Sequence, residues 1–429
     1  MIQFTILLKD VLMTNRFQIL AVISSILFTF QIATAQEWTR FHGPNGQGVA
    51  NLKTFPAQWN EENIVFKAEL PGIGHSSPVV WGEKVFVLSA NPETAERFVL
   101  CIEANSGKIL WQHDYKSVTH KLHLRSSYAS CTPVVDKDVV IFAWSDPQHT
   151  LVKAFSHDGN ELWTKDLGTW SSQHGFGTSP VIYKNKILLN ASQANGRLPE
   201  GIEPGESFFY AFDKESGEII WKTPRGTASS SYSVPAIYQG EDGDEIICSN
   251  TVDGMYSLDP ETGEENWSVK AFDKRTVSSP LFAGGHIFGS TGSGGGGNYV
   301  AAIKPGKDPA VSFKLDRSAP YVPTSVCLDD LMFCFYDKGI LSCMNTKTGE
   351  VHYQKRLDCA FSGSPIRVGD KLFCVDEEGI VHVIAASKEF KILAKNPLGE
   401  ASRSTPAVSG GRMFIRTYSQ LICVGINKS

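Results

Sequence analysis

The chain has 429 residues, 42% hydrophobic and 20% charged, a composition that excludes a disordered or fibrous polypeptide and supplies ample core. A formal net charge of −5 excludes the global basic field used to bind nucleic acid or anionic lipid. With 38 glycines and 11% aromatic residues, many short strands and turns are favoured over helices.

In chain order, the first element is a leader. From Met13 the sequence carries Arg16, an apolar run and the small-residue signature Ala33-Thr34-Ala35. This is the layout of a secretory signal peptide over residues 1–35, cleaved after Ala35, with Met13 as an alternative start. The run is nearly long enough to span a bilayer, so an uncleaved anchor is the competing reading. No cysteine ends it, which argues against a lipoprotein. Cleavage removes Lys9, Asp10 and Arg16, leaves a net charge of −6, and predicts an exported chain, periplasmic or extracellular, without a stable membrane anchor. All nine cysteines follow the leader, and an odd number cannot all pair internally, which argues against a disulfide framework.

Residues 36–62 form an N-terminal extension, and 63–429 are organised as a repeat. A small residue followed by proline recurs at Pro78, Pro133, Pro180, Pro235, Pro280, Pro365 and Pro406, with Ser325 in the proline place between the fifth and sixth of these. The intervals run from 40 to 55 residues, so the chain holds eight units. Each unit reads as two strands of a hairpin, such as "VVWGEKVFVLS", then a third strand, a tight turn and an outer strand. Four short antiparallel strands per unit predict an all-β, eight-bladed β-propeller. The eighth unit lacks an outer strand, and "NIVFKAEL" before the first unit supplies one, so the N-terminal strand is expected to complete the last blade. A seven-bladed ring with an extra hairpin is the structural alternative.

The turn has its own signature. Asp213, Asp259 and Asn345 end third strands, and Gly217, Gly263 and Gly349 follow four residues later, where positive φ favours glycine. Four further residues bring Trp221, Trp267 and Tyr353; Trp111 and Trp163 keep the glycine spacing, and Phe66 holds the place in the closing strand. These six rings are expected to dock each blade on the next.

The pattern Ala211-x-Asp213-x-x-x-Gly217-x-x-x-Trp221 resembles the tryptophan-docking repeat of pyrroloquinoline-quinone-type eight-bladed propellers, over nearly all of 63–429. The opening "EWTRFHGPNGQGVA" is similar to the N-terminal signature of secreted quinoprotein-like propellers. The family includes quinone-dependent alcohol and sugar dehydrogenases, which hold quinone and calcium on the ring axis, several of them with an adjacent cysteine pair. It also includes BamB-like propellers that lack quinone. This chain has no Cys-Cys pair, lacks the long roofing insertions of the enzymes, and offers no match to their calcium ligands or base. The resemblance therefore implies a binding or scaffold module without a cofactor. A pyrroloquinoline-quinone and calcium oxidoreductase is the alternative, and a carbohydrate-active enzyme using His75, His174 and Arg403 is another.

The links that enter each innermost strand carry His75, His123, Arg125, His174, Tyr232, Arg275, Tyr321, Phe361 and Arg403. In a propeller these links converge on one mouth of the channel, so the nine are expected to form a partly cationic ligand-binding funnel on an acidic protein. It suits an anionic group of a protein or glycan partner in the cell envelope, and a monomer is expected. Cys101, Cys343 and Cys423 share a place that Ala211 and Ser257 fill elsewhere, so they are small core residues. His113, His157, His286, His352 and His382 fall in blade strands or turns and read as structural. The glycine run 289–298 lacks a following Lys-Ser/Thr and helix, and reads as a surface loop. No metal ligand set and no nucleophile with a base is apparent in the sequence.

Overall fold

The structure, a computed structural model, describes residues 37–195, 198, 203–316 and 319–426; the expected signal peptide at 1–35 lies outside them. Eight antiparallel sheets follow along the chain as blades one to eight: 79–115, 134–166, 181–225, 236–269, 281–316, 326–356, 366–397 and 407–425. Blade eight takes its outer strand from Ile64–Glu69, which pairs with Gln420–Gly425 and sets Phe66 opposite Cys423. The seven-bladed alternative is thereby excluded. Among the described residues no helix is long and apolar enough to cross a membrane.

Strand burial follows from stacking. A middle strand such as Val139–Ser145 is buried throughout because neighbouring blades cover both of its faces. The outer strand Ile109–Tyr115 alternates half-buried and exposed, since it forms the rim. Each outer strand shifts register beside its aromatic position, as between Cys101 and Ile102 opposite Trp111 and Ile109. Such a bulge re-aims the ring toward the next blade. The residue opposite the ring is small: Cys101 faces Trp111, Ala211 faces Trp221 and Cys343 faces Tyr353. In blade seven Ala394 replaces the aromatic, and Val383 fills the opposite place.

The turns behave as the spacing requires. Asp213 Oδ1 accepts from the amides of Glu215 and Ser216, and Gly217 adopts φ +72°. The ring of one blade covers the turn glycine of the next, so a Cβ on Gly217 would lie 2.5 Å from the Trp163 ring. Trp111 covers Gly159 and Trp221 covers Gly263 in the same way, while Phe66 covers Gly107 across the closure. The sequence expectation needs amendment in blades four to six. The blade-five turn carries no glycine under Trp267, whose Nε1 donates instead to Glu245 within its own blade at 2.8 Å. Gly349 is covered by Phe313, a docking ring the spacing rule missed because that turn differs. Tyr353 meets Phe390 edge-on, ring centroids 5.6 Å apart.

At the centre, the proline landmarks form a ring of hydrogen bonds. The amide of the residue before each landmark donates to the hydroxyl at the same place in the next blade. Ser77 donates to Thr132 at 3.1 Å, Thr132 to Ser179 at 3.0 Å and Val234 to Ser279 at 3.1 Å. Ser279 continues to Thr324, Thr324 to Ser364 and Ser364 to Thr405 at 2.9–3.0 Å. Thr405 returns to Ser77 at 2.9 Å and closes the circle. Only the joint from Ser179 lacks a hydroxyl acceptor, because Val234 stands there.

The N-terminal extension occupies the channel. Trp38 pairs with Val80 of blade one, and the Arg40 guanidinium donates to the Pro235 carbonyl at 2.6 Å. His42 Nε2 lies 2.7 Å from the Pro365 carbonyl, Asn45 bonds Ile237, and Val49–Ala50 adds a parallel strand to blade seven. Tight winding makes this possible: His42 and Asn45 have positive φ, and a Cβ on Gly43 would strike the Trp38 ring at 2.7 Å.

The isosteric change Thr324→Val removes one hydroxyl acceptor and leaves the buried Ser279 amide unpaired, at a cost of about 1–3 kcal/mol. Val234→Thr supplies the missing acceptor and is expected to gain at most about 1 kcal/mol. Denaturant midpoints of the two variants, measured against the parent, check both signs.

Candidate functional site

Because the extension blocks the channel, its mouth becomes a blind cup of about 730 Å³, with Phe41 of the extension among its lining residues. Its walls come from inter-blade links and from turns between second and third strands, which open on the same face. Five lysine and arginine side chains line it (Arg125, Lys274, Arg275, Lys338 and Arg403) against one carboxylate, Asp337.

Eight of the nine funnel residues line this one cup. His75, His123, Arg125 and His174 lie on its wall, as do Tyr232, Arg275, Tyr321 and Arg403. Phe361 does not. It is fully buried behind the wall, edge-on to Phe335 at 5.2 Å and to His382 at 5.6 Å, because an apolar ring at the blade six–seven joint is worth more in the core than at a wet mouth.

One side of the cup is built around Arg275. Its guanidinium donates to His174 Nε2, to Tyr321 Oη at 3.3 Å and to Gln173 Oε1 at 2.9 Å. His174 therefore accepts on Nε2 and is neutral. Burial, then Arg275 and His123, push its imidazole down to about 4. The His123 ring leans on it at 4.6 Å. Beside them the Tyr232 hydroxyl shares a hydrogen bond with Ser172 at 2.8 Å and donates to the Gly175 carbonyl at 3.1 Å.

The opposite side is organised by a residue that sequence reasoning passed over. Glu377, in the turn between the second and third strands of blade seven, pairs with Arg403 at 3.3 Å and Arg125 at 3.5 Å. Arg403 also donates to the Leu124 carbonyl at 2.9 Å, which pins the segment around His123 to Arg125 across the mouth. His75 sits next to Tyr418, ring centroids 5.3 Å apart. Its imidazole is pushed down to about 3 by burial and by Arg403 and Arg416. Asp337 is buried and accepts from the amides of Tyr321 at 2.8 Å and Val322 at 3.0 Å; burial raises its pKa.

Asp337 and Glu377 occupy the matching turns "YDKG" and "VDEEG", so aligning those turns across units would have found them. The glycine run contributes as well: Gly292, Ser293, Gly294 and Asn298 line the cup, which makes part of that loop a wall of the site. All nine cysteines are unpaired, and none lines the cup.

With this geometry in hand, comparison with known proteins is informative. The family described as outer membrane protein assembly factor BamB matches residues 39–200 and 205–326. The chain belongs to this family. Comparison with curated proteins gave no match. Among solved structures, BamB from Moraxella catarrhalis is 15% identical with a TM-score of 0.58, covering 85% of this chain and 99% of its own. A europium-containing methanol dehydrogenase is 12% identical with a TM-score of 0.66, covering 90% of each chain. The quinohemoprotein alcohol dehydrogenase from Comamonas testosteroni is 11% identical with a TM-score of 0.66, covering 92% of this chain and 81% of its own. At these identities the structural likenesses establish the fold of this BamB-family propeller and leave its site to be judged from its own residues.

The histidines make stability pH-dependent in a definite direction. His75 and His174 titrate near 3 and 4 when folded but near the ordinary 6.5 when unfolded. Between these limits the unfolded chain binds more protons, so their contribution to stability is lost as pH falls from about 6.5 toward 4. Unfolding midpoints measured across that range should decline, and the double variant His75→Asn/His174→Gln should show a shallower decline.

Proposed function

We propose that this BamB-family propeller is a binding module whose cup takes the anionic group of a ligand or partner in the cell envelope. The observation that carries the reading is Arg275. Among the described residues it has no carboxylate within ion-pairing distance, and its hydrogen-bond partners are neutral side chains around the cup. The other two arginines that line the cup differ, because Arg125 and Arg403 share Glu377. A guanidinium lining a concave, partly dehydrated site favours an anion, and its planar fork suits carboxylate or sulfate. The volume suits a small molecule or a chain end rather than a folded surface. Leu124, 93% exposed on the segment that crosses the mouth, offers an apolar contact to whatever brings that end.

Export to the periplasm or exterior, without an anchor and as a monomer, completes the proposal. It rests on the leader-like first 35 residues and on blades that leave only short sheet edges.

The donor set does not suit a calcium-bound quinone. Calcium takes six to eight oxygen ligands, several of them carboxylates. The one carboxylate lining the cup, Asp337, already has an amide on each oxygen. A glycosidase is disfavoured on the same ground, since that chemistry uses two carboxylates flanking the bond.

Ligands that bind only the folded state raise its melting temperature. Sulfate, citrate and glucuronate, tested in turn, are expected to do so in a salt-sensitive way. Arg275→Gln should weaken the best of them roughly ten- to a hundred-fold by titration calorimetry, the scale of a charge-assisted hydrogen bond. Equal affinity in the variant would reject the reading.

A further inference from the structure

We propose that Glu377 sets the charge of the ligand: by compensating Arg125 and Arg403 it leaves the cup one open anion position, at Arg275, and selects ligands with a single anionic group. This rests on Arg275 being the open position and adds the class of ligand that the cup takes.

Four of the five cations that line the cup are compensated or solvated. Arg403 Nη2 lies 3.3 Å from Glu377 Oε2, and Arg125 Nε lies 3.5 Å from Glu377 Oε1. Asp337 acts on Arg125 as well: burial raises its pKa, while the amides of Tyr321 and Val322 and the charge of Arg125 favour its ionised form. Lys274 Nζ lies 2.9 Å from Asp273 Oδ2. Lys338 is exposed, where an ion pair is worth little. Of the five, only Arg275 combines partial burial with neutral partners.

The Glu377 carboxylate is fixed in the wall. Ser362 Oγ donates to its Oε1 at 2.6 Å, and its own amide donates to the Ala360 carbonyl at 2.8 Å. The turn that carries it is closed by Asp376 Oδ1, which accepts from the amides of Glu378 at 3.1 Å and Ile380 at 2.8 Å. The Glu377 and Arg403 side chains are each 16% exposed, so salt and water screen the pair less than a surface one. Arg125, Ser362 and Arg403 line the cup, but Glu377 does not. A ligand therefore meets two guanidiniums already paired with a carboxylate that the wall supplies.

One short stretch of chain joins the open and the compensated sides. Arg275 donates to His174 Nε2, and the His123 ring stands 4.6 Å from the His174 ring. Arg403 donates to the carbonyl of the next residue, Leu124, at 2.9 Å. His123 to Arg125 spans at most about 7 Å, so a six-carbon acid held at Arg275 can extend its far end toward Arg125 and Arg403. A second carboxylate there gains no free cation and meets the like charge of Glu377, whereas a hydroxyl meets no such repulsion. Ser126, Ser229 and Ser293 also line the cup and offer partners to a neutral, hydroxyl-bearing body. The class that fits is a sugar acid or chain end with one charged group.

Gluconate and glucarate are open-chain sugar acids that differ in whether the far end is an alcohol or a carboxylate. Titration calorimetry of each on the full chain is expected to show glucarate binding no more tightly than gluconate. Glu377→Gln should raise the affinity for glucarate relative to gluconate by about ten- to a hundred-fold, the scale of a charge-assisted hydrogen bond. Glu378→Gln removes the same charge from an exposed side chain one residue on, and should leave the ratio as in the parent. A purely structural role for Glu377 would weaken both acids alike and leave the ratio unchanged, which would overturn the proposal. If Glu377→Gln does not fold, the parent decides: glucarate bound at least about tenfold more tightly than gluconate rejects the proposal, and equal or weaker binding supports it. No binding of either acid to any of these proteins would also reject it. Arg275→Gln is read separately, so an unchanged ratio with gluconate still dependent on Arg275 rejects the role of Glu377 alone.

Discussion

The architecture depends on a small circle of hydrogen bonds in which a backbone amide of one blade reaches a hydroxyl of the next. The innermost strands are short, three residues in most blades, and cannot hold adjacent blades in register by themselves. A fixed amide-to-hydroxyl distance at seven joints sets the spacing of the blades around the axis. It also explains the recurring small residue before proline. Serine or threonine supplies the accepting oxygen at seven of the eight places, and Val234 is the exception.

Once the inner circle is fixed, the periphery follows. Each outer-strand bulge turns an aromatic ring onto the next blade's turn, where glycine gives both the left-handed backbone and the space. The same contact at Phe66 and Gly107 joins the two ends of the chain. Packing at the rim and hydrogen bonding at the hub are thus independent restraints on one geometry. That redundancy is compatible with the irregular blades, where Trp267 bonds within its own sheet and blade seven has no docking ring.

Function is set by what happens on the axis. A propeller with an open channel would expose its mouth residues to water from both sides. Here the extension fills the channel with Trp38, Arg40 and His42, and the mouth becomes a cup with an inner end. Partial enclosure keeps His75 and His174 neutral and concentrates positive charge on a protein that is acidic as a whole. The two halves of the cup differ in kind. Around Glu377 the cations are compensated and hold the wall together, whereas at Arg275 the charge faces neutral partners and remains available.

The repeat period, the turn chemistry and the orphan strand at "NIVFKAEL" determined the fold from sequence alone, because the first two are local rules that recur along the chain and the third is the one strand the last unit lacks. Convergence of the link residues was legible for the same reason, since topology delivers every link to one face. Side-chain direction was not: Phe361 obeys the link rule in sequence, yet its ring turns into the joint between blades six and seven. Only the tertiary structure decided that the extension plugs the channel and that Glu377 sits between Arg125 and Arg403. Those contacts join segments distant in sequence or lying on different strands, and no periodicity records them. They exist because closing the ring brings blade seven, the first blades and the N-terminus to a common axis.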